Sequence, residues 1–199
     1  MKIWPGLLVT LAFAGCATTK IINTWRDPKY QGPPFKHILV VGIGDNESTR
    51  RTFEDEFARH MRLSGVPAVA GYTLIPQARE ADAAELKAAV AESQADAILI
   101  TRLVHVAKRT QTYPGPVSVP HPAGYQGNVY GFYTSARTSL SPVAVEYEVV
   151  TLETNLWEVR QESLVWSATT ETFSPDNVVK ATAEFAQMVI QTLREQRLI

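Results

Sequence analysis

The chain has one cysteine in 199 residues, so an intrachain disulfide is impossible. Histidine is scarce too: His37, His60, His105 and His121 are scattered and form neither HExxH nor another ligand pair at helix or strand spacing. No sign of charge dominates. Nineteen Lys and Arg stand against 20 Asp and Glu, a formal charge of −1, so no broad basic field attracts nucleic acid. No apolar run reaches the ~20 residues that a membrane-spanning helix needs. There is no G-x-S-x-G elbow, no complete dinucleotide fingerprint, no P-loop and no internal repeat. The sequence therefore offers no catalytic constellation, no metal site and no cofactor. What it does hold is 45% hydrophobic and 20% charged residues, the balance of an ordinary globular domain. A chain of this length suggests one domain with an arm, able to bury roughly 70% of its unfolded surface.

The amino terminus reads as an address. Lys2 is the one charge in residues 1–15, and an apolar stretch runs from Leu7 to Ala14. It is too short for a spanning helix and fits the central region of a secretory signal peptide. Ala14 and Gly15 then lead into Cys16. Phe13-Ala14-Gly15-Cys16 resembles the lipobox of bacterial lipoproteins, in which the signal is removed and the cysteine takes acyl chains. The resemblance implies lipidation of Cys16. Ala17 follows the cysteine where an aspartate often retains lipoproteins at the inner membrane, so the pattern resembles outer-membrane sorting. Burial of acyl chains supplies about 0.8 kcal/mol per CH₂, and more than one chain gives stable anchoring.

Residues 16–36 read as a lipidated amino-terminal arm. Asp27-Pro28 and Gly32-Pro33-Pro34 oppose helix there, while Trp25, Tyr30 and Phe35 can fasten the arm to the domain. Residues 37–199 read as a single α/β domain. His37 to Gly44 is a continuous apolar run, expected as a strand buried on both faces. Asn46 or Ser48 can cap a helix whose apolar stripe is Phe53, Phe57 and Met61, ended by Gly65 and Pro67. Val66 to Tyr72 reads as a strand, Ala83, Leu86 and Val90 as the stripe of a second helix, and Asp96 to Val106 as a third strand.

Periodicity stops at Arg109. Residues 109–142 are rich in Pro and Gly, with Tyr113, Tyr125, Tyr130, Phe132 and Tyr133 interspersed. So long an aperiodic stretch inside a compact domain reads as a functional insertion. Alternation resumes at 143–149, where Glu146 and Glu148 share the wet face, and again over Leu164 to Thr172, with residues 153–157 leading into a hairpin connection. Ser174-Pro175 then opens a last helix carrying Val178, Thr182, Phe185, Val189 and Leu193 on one side. The expected fold class is α/β, a single mixed sheet in the order β-α-β-α-β, long insertion, β-β-α, with helices packed on it.

Two further features bear on function. The turn from Gly42 to Glu47 follows the first strand as a phosphate-binding turn would, but Glu47 occupies the third-glycine position and would repel a pyrophosphate. Arg50 and Arg51 can meet an anionic partner such as a lipid head group or glycan, or else pair with Glu54 and Asp55 at helical spacing. The tyrosines of the insertion offer contact area at low entropic cost, so Tyr113, Tyr125, Tyr130, Phe132 and Tyr133 are candidate partner contacts together with the two arginines.

The stretches 150–157 and 164–173, with the Trp166-Ser167 pair on the returning strand, resemble the hairpin of a family of bacterial lipoproteins of unassigned activity. More distantly they are similar to the envelope domain of the curli secretion lipoprotein CsgG, the penicillin-binding-protein activator LpoB and the amino-terminal domain of TolB. That resemblance implies action by protein contact and not catalysis. The reading is thus a lipid-anchored lipoprotein on the periplasmic face of the outer membrane, a non-catalytic module in envelope assembly, maintenance or trafficking. Its partners would be the membrane, through Cys16, and an envelope protein. The alternatives are a small-molecule or nucleotide binder using the Gly42–Glu47 turn, and a homo-oligomeric channel or structural subunit.

Overall fold

The structure, a computed structural model, describes residues 19–77, 81–113, 129, 143–173 and 177–199. The main elements run β1 (Thr19–Arg26), β2 (Ile38–Ile43), α1 (Glu47–Leu63), β3 (Ala68–Ala70), α2 (Ala83–Ser93), β4 (Ala97–Tyr113), β5 (Val143–Glu158), β6 (Ser163–Phe173) and α3 (Val178–Glu195), with a 3₁₀ turn at Gly71–Thr73 after β3. The six strands form one mixed sheet in the order β1-β6-β5-β4-β2-β3. β2 pairs parallel with β3 and β4, and the remaining neighbours pair antiparallel. The expected α/β class and single mixed sheet with helices packed on it are what the chain adopts.

Five boundaries differ from expectation. The strand expected over Val66 to Tyr72 is only Ala68–Ala70, because the chain turns into the 3₁₀ helix at Gly71. The arm is not irregular throughout: Thr19–Arg26 forms β1, paired with β6 at the sheet edge. Its breakers, Asp27-Pro28, lie after the strand and end it. An edge strand with most side chains exposed shows little apolar alternation, so its pattern was invisible in the sequence. The strand after α2 runs on to Tyr113, because β4 and β5 continue as a two-stranded ribbon past the end of β6, with Tyr113 opposite Val143. Residues 153–157 remain within β5, and the turn follows Glu158, where Glu162 takes a left-handed φ of 51°. Asn177 caps α3, its side chain accepting from the Lys180 amide, while Ser174 and Pro175 lie outside the described residues.

Alternation along β2 places its side chains in two cores. Ile38 and Val40 face α1 and α3, in a cluster with Phe57, Met61, Leu156, Trp166, Phe185 and Leu193. Leu39 and Val41 face the other side with Ile75, Ala89 and Ala95, under α2. On the first side Phe53, Phe57 and Phe185 form a ring triad with centroids 5.7–5.9 Å apart, which locks α1 to α3. Among the described residues, the second side is covered by α2 at the β2–β4 end. Further across, it carries cross-strand ion pairs instead: Arg102–Glu153 at 2.6 Å, Arg109–Glu171 at 3.1 Å and Lys20–Glu171 at 3.4 Å.

α1 begins at Asn46, whose side chain accepts from the Thr49 amide. It ends in a Schellman motif, with Val66 N–H donating to Met61 and Gly65 N–H to Arg62. Gly65 sits at φ 86°, where a glycine avoids the steric cost of a side chain. The arm is fastened by Tyr30 stacked on Phe35, centroids 5.4 Å apart, and by the Asp96 carboxylate, which accepts from the Lys36 and His37 amides. Trp25 stays 44% exposed on β1, opposite Ser167 of β6.

Candidate functional site

Parallel strands that each lead into a helix leave a crevice beyond their carboxyl ends. Here the crevice is an apolar groove of about 360 Å³ between the amino-terminal halves of α1 and α3 and the sheet beneath them. Leu103 and Val106 of β4, Val150 and Leu152 of β5 and Thr172 of β6 form its floor, Phe53 and Phe185 its walls, and the turn Gly42–Asn46 its mouth. The bulge between Leu103 and His105 keeps Leu103 and Val106 on the same face of β4. Ile43, Leu103, Val106 and Val178 line the groove and are each between 40% and 46% exposed. The threonine hydroxyls near the floor bond one another: Thr19 to Thr172 at 2.9 Å, Thr101 to Thr154 at 3.0 Å.

Behind the mouth lies a buried ion pair. Glu54, fully buried, accepts from Arg50 Nε at 2.9 Å, from the Gly42 amide at 2.8 Å and from the Tyr72 amide. Arg50 also donates to Glu47 and to the carbonyls of Ile75 and Pro76. Burial pushes the Glu54 carboxyl above its ordinary value, against the pull of the two amides and Arg50. The cluster ties α1 to the end of β2 and to the 3₁₀ turn. It also decides what the mouth can hold. The Gly42 amide, which a phosphate would need, already donates to an internal carboxylate, and Glu47 stands at the helix start, its carboxyl held low first by its hydrogen bond from Arg51. The crevice is therefore chemically suited to an apolar ligand and poorly suited to a nucleotide phosphate.

Sequence reasoning treated Arg50 and Arg51 as one candidate pair, and the structure separates them. Arg50 is buried, 4% exposed, with its donors directed inward. Its spacing to Glu54 carried that signal, but the depth of the pair depends on the 3₁₀ turn. Arg51 is exposed, pairs with Glu47 at 3.0 Å and lies over the Tyr72 ring at 5.6 Å. Tyr113 ends β4, while Cys16, Tyr125, Tyr130, Phe132 and Tyr133 lie outside the described residues. Glu146 and Glu148 are exposed on β5, where Glu148 sits opposite Lys108 in register. No group of three potential metal ligands occurs among the described residues, and no described helix is long and apolar enough to cross a membrane. The groove itself was missed, because its lining comes from six separate elements and most contribute residues that read as core.

No family model matches the chain, and no curated protein does. Among solved structures, the chain is similar to a PelC dodecamer from Paraburkholderia phytofirmans, at 14% identity and a TM-score of 0.40, over 83% of this chain and 96% of that one. It is also similar to lipoprotein GNA1162 from Neisseria meningitidis, at 12% identity and a TM-score of 0.42, over 80% of this chain and 99% of that one.

Proposed function

We propose that this chain is a lipid-anchored envelope protein, tethered through Cys16 to the periplasmic face of the outer membrane, and that it works by contact and not by catalysis. The observation that carries the reading is the succession of an apolar stretch, small residues and a lone cysteine in the first sixteen positions, followed three residues later by the first strand of the sheet. A tether placed there holds the domain close to the bilayer through an edge strand, at the same end of the sheet from which the β4–β5 ribbon extends. The tyrosines and Phe132 of residues 114–142 are the partner contacts in this reading, with Arg51 as the exposed cation of the earlier pair. Envelope assembly, maintenance or trafficking is the setting.

The test is Cys16→Ala with cell fractionation. Wild type is expected in the membrane fraction and the variant to lose its acylated, membrane-bound form. Fully soluble behaviour of both would overturn the anchor.

A second reading is favoured by the groove: a binder of a small apolar molecule at the mouth formed by the Gly42–Asn46 turn. Thermal shifts with a panel of sugars, nucleotides and lipids separate it from the first, since a ligand at a hundred times its Kd stabilises by about 2.7 kcal/mol. Sizing of the detergent-extracted protein tests the homo-oligomeric alternative.

A further inference from the structure

The floor of the apolar groove leads to Thr172, the residue of β6 that pairs with the amino terminus of β1. That floor consists of rows that cross the sheet. Val106 pairs with Val150, Val150 with Thr172, and Thr172 with Thr19, the first residue of the edge strand. The next row is Leu103, Leu152, Thr170 and Ile21. Thr19 and Thr172 join hydroxyls at 2.9 Å, so the chain enters the sheet at the end of the groove floor.

Cys16 precedes Thr19 by three residues, which span at most about 11 Å when extended. Thr172 is one strand away from Thr19 and Val150 two, at roughly 4.8 Å per strand. A group carried on Cys16 is therefore within reach of the groove.

The lining says what that group must be. Its floor and walls are dominated by Leu103, Val106, Val150, Leu152, Phe53 and Phe185, with Asp45 and Asn46 at the mouth, and the Thr172 and Thr101 hydroxyls bond those of Thr19 and Thr154. Arg50 on the wall is committed to Glu54, Glu47 and two carbonyls. The volume of about 360 Å³ falls within the range of roughly 300–1,000 Å³ seen for small-molecule sites. A ligand apolar along its length fits these walls.

We infer that the groove takes one acyl chain of the lipid borne by Cys16 of the same molecule. The inference rests on the lipidation proposed above. The chain enters past Thr19 and Thr172 and lies between Val150 and Leu152 below and Phe53 and Phe185 above. Each methylene it hides from water strengthens its hold about fourfold. A chain in the groove is absent from the bilayer, and a lipid with fewer inserted chains holds a membrane less firmly. Occupation of the groove and firmness of anchoring thus oppose each other, and the groove acts as a store for part of the anchor.

Photo-crosslinking in the full-length, membrane-bound protein tests this. Leu103→p-benzoylphenylalanine puts the probe on the floor, Val178→p-benzoylphenylalanine on the opposite wall, and Lys87→p-benzoylphenylalanine on α2 across the sheet. After irradiation and trypsin, peptide 103–108 is expected joined through an acyl chain to peptide 16–20, at least tenfold above the yield from position 87. The Val178 probe should capture the same chain, and Ala181→Phe, which fills the groove, should abolish both adducts. Capture of a bilayer phospholipid, of residues 114–142 or of another polypeptide would overturn the inference, as would no adduct from either groove probe. Peptide 16–20 recovered acylated but never crosslinked sinks the inference alone. The same peptide recovered with a bare thiol, or recovered only as the unprocessed peptide 3–20, sinks the anchor itself.

Discussion

At the residue scale the decisive group is Glu54. A carboxylate with no exposed surface survives here because two amides and a guanidinium surround it, yet burial still wins and raises its pKa. Its contribution to stability is therefore whole below the ordinary value of about 4.5 and is lost as pH climbs through the raised one. Glutamine mimics the neutral form at every pH. Glu54→Gln is expected to cost about 1–3 kcal/mol through weakened hydrogen bonding, with the larger cost near pH 4 and the smaller near pH 8. Arg50→Met should show the opposite trend, since it strands an ionised carboxylate: about 3–5 kcal/mol near pH 8 and less in acid. Urea unfolding of both variants across that range checks the pair of slopes, and parallel slopes would contradict the account. Gly71 is a second sensitive position. A Cβ there would lie 2.8 Å from the Val40 carbonyl oxygen, a backbone atom that cannot swing away. Gly71→Ala should cost about 1–3 kcal/mol in the same assay.

At the element scale the helices are held by their ends as much as by their faces. The Asn177 side chain supplies the cap of α3, and Asn177→Ala is expected to cost about 1 kcal/mol, read as a drop in Tm by calorimetry. Asp82 and Glu85 form a full capping box on α2, a signal present in the sequence three residues apart. The stripes Phe53-Phe57-Met61 and Thr182-Phe185-Val189-Leu193 were legible for the same reason: a helix with one packed face repeats its apolar residues every three or four positions. β1 was illegible because it is an edge strand held by backbone pairing to β6, and such pairing leaves no side-chain pattern. The length of β4 was hidden for a related reason. Beyond Val106 the ribbon is held by its partner β5 and not by a core, so polar residues such as Lys108 and Arg109 continue the strand.

At the scale of the whole molecule, Tyr113 and Val143 face each other in register, so the ends of the segment between them are already closed by the ribbon. Replacing residues 114–142 with Asn-Gly, the preferred two-residue hairpin turn, should leave Tm within a few degrees while removing in-cell crosslinks to envelope proteins. Unfolding would show that the segment is part of the core, and unchanged crosslinks would place the partner surface elsewhere. The sequence by itself determined the local matters: the α/β class, the helical stripes, the doubly buried β2 and the lone cysteine behind an apolar stretch. These depend on neighbours in the chain, whose spacing is visible in one dimension. Tertiary structure alone decided that Arg50 turns inward and Arg51 outward, that the arm closes the sheet as β1, and that residues of six elements enclose one apolar groove. Those outcomes depend on which strands become neighbours, and pairing energy between distant strands carries no signature in the order of the residues.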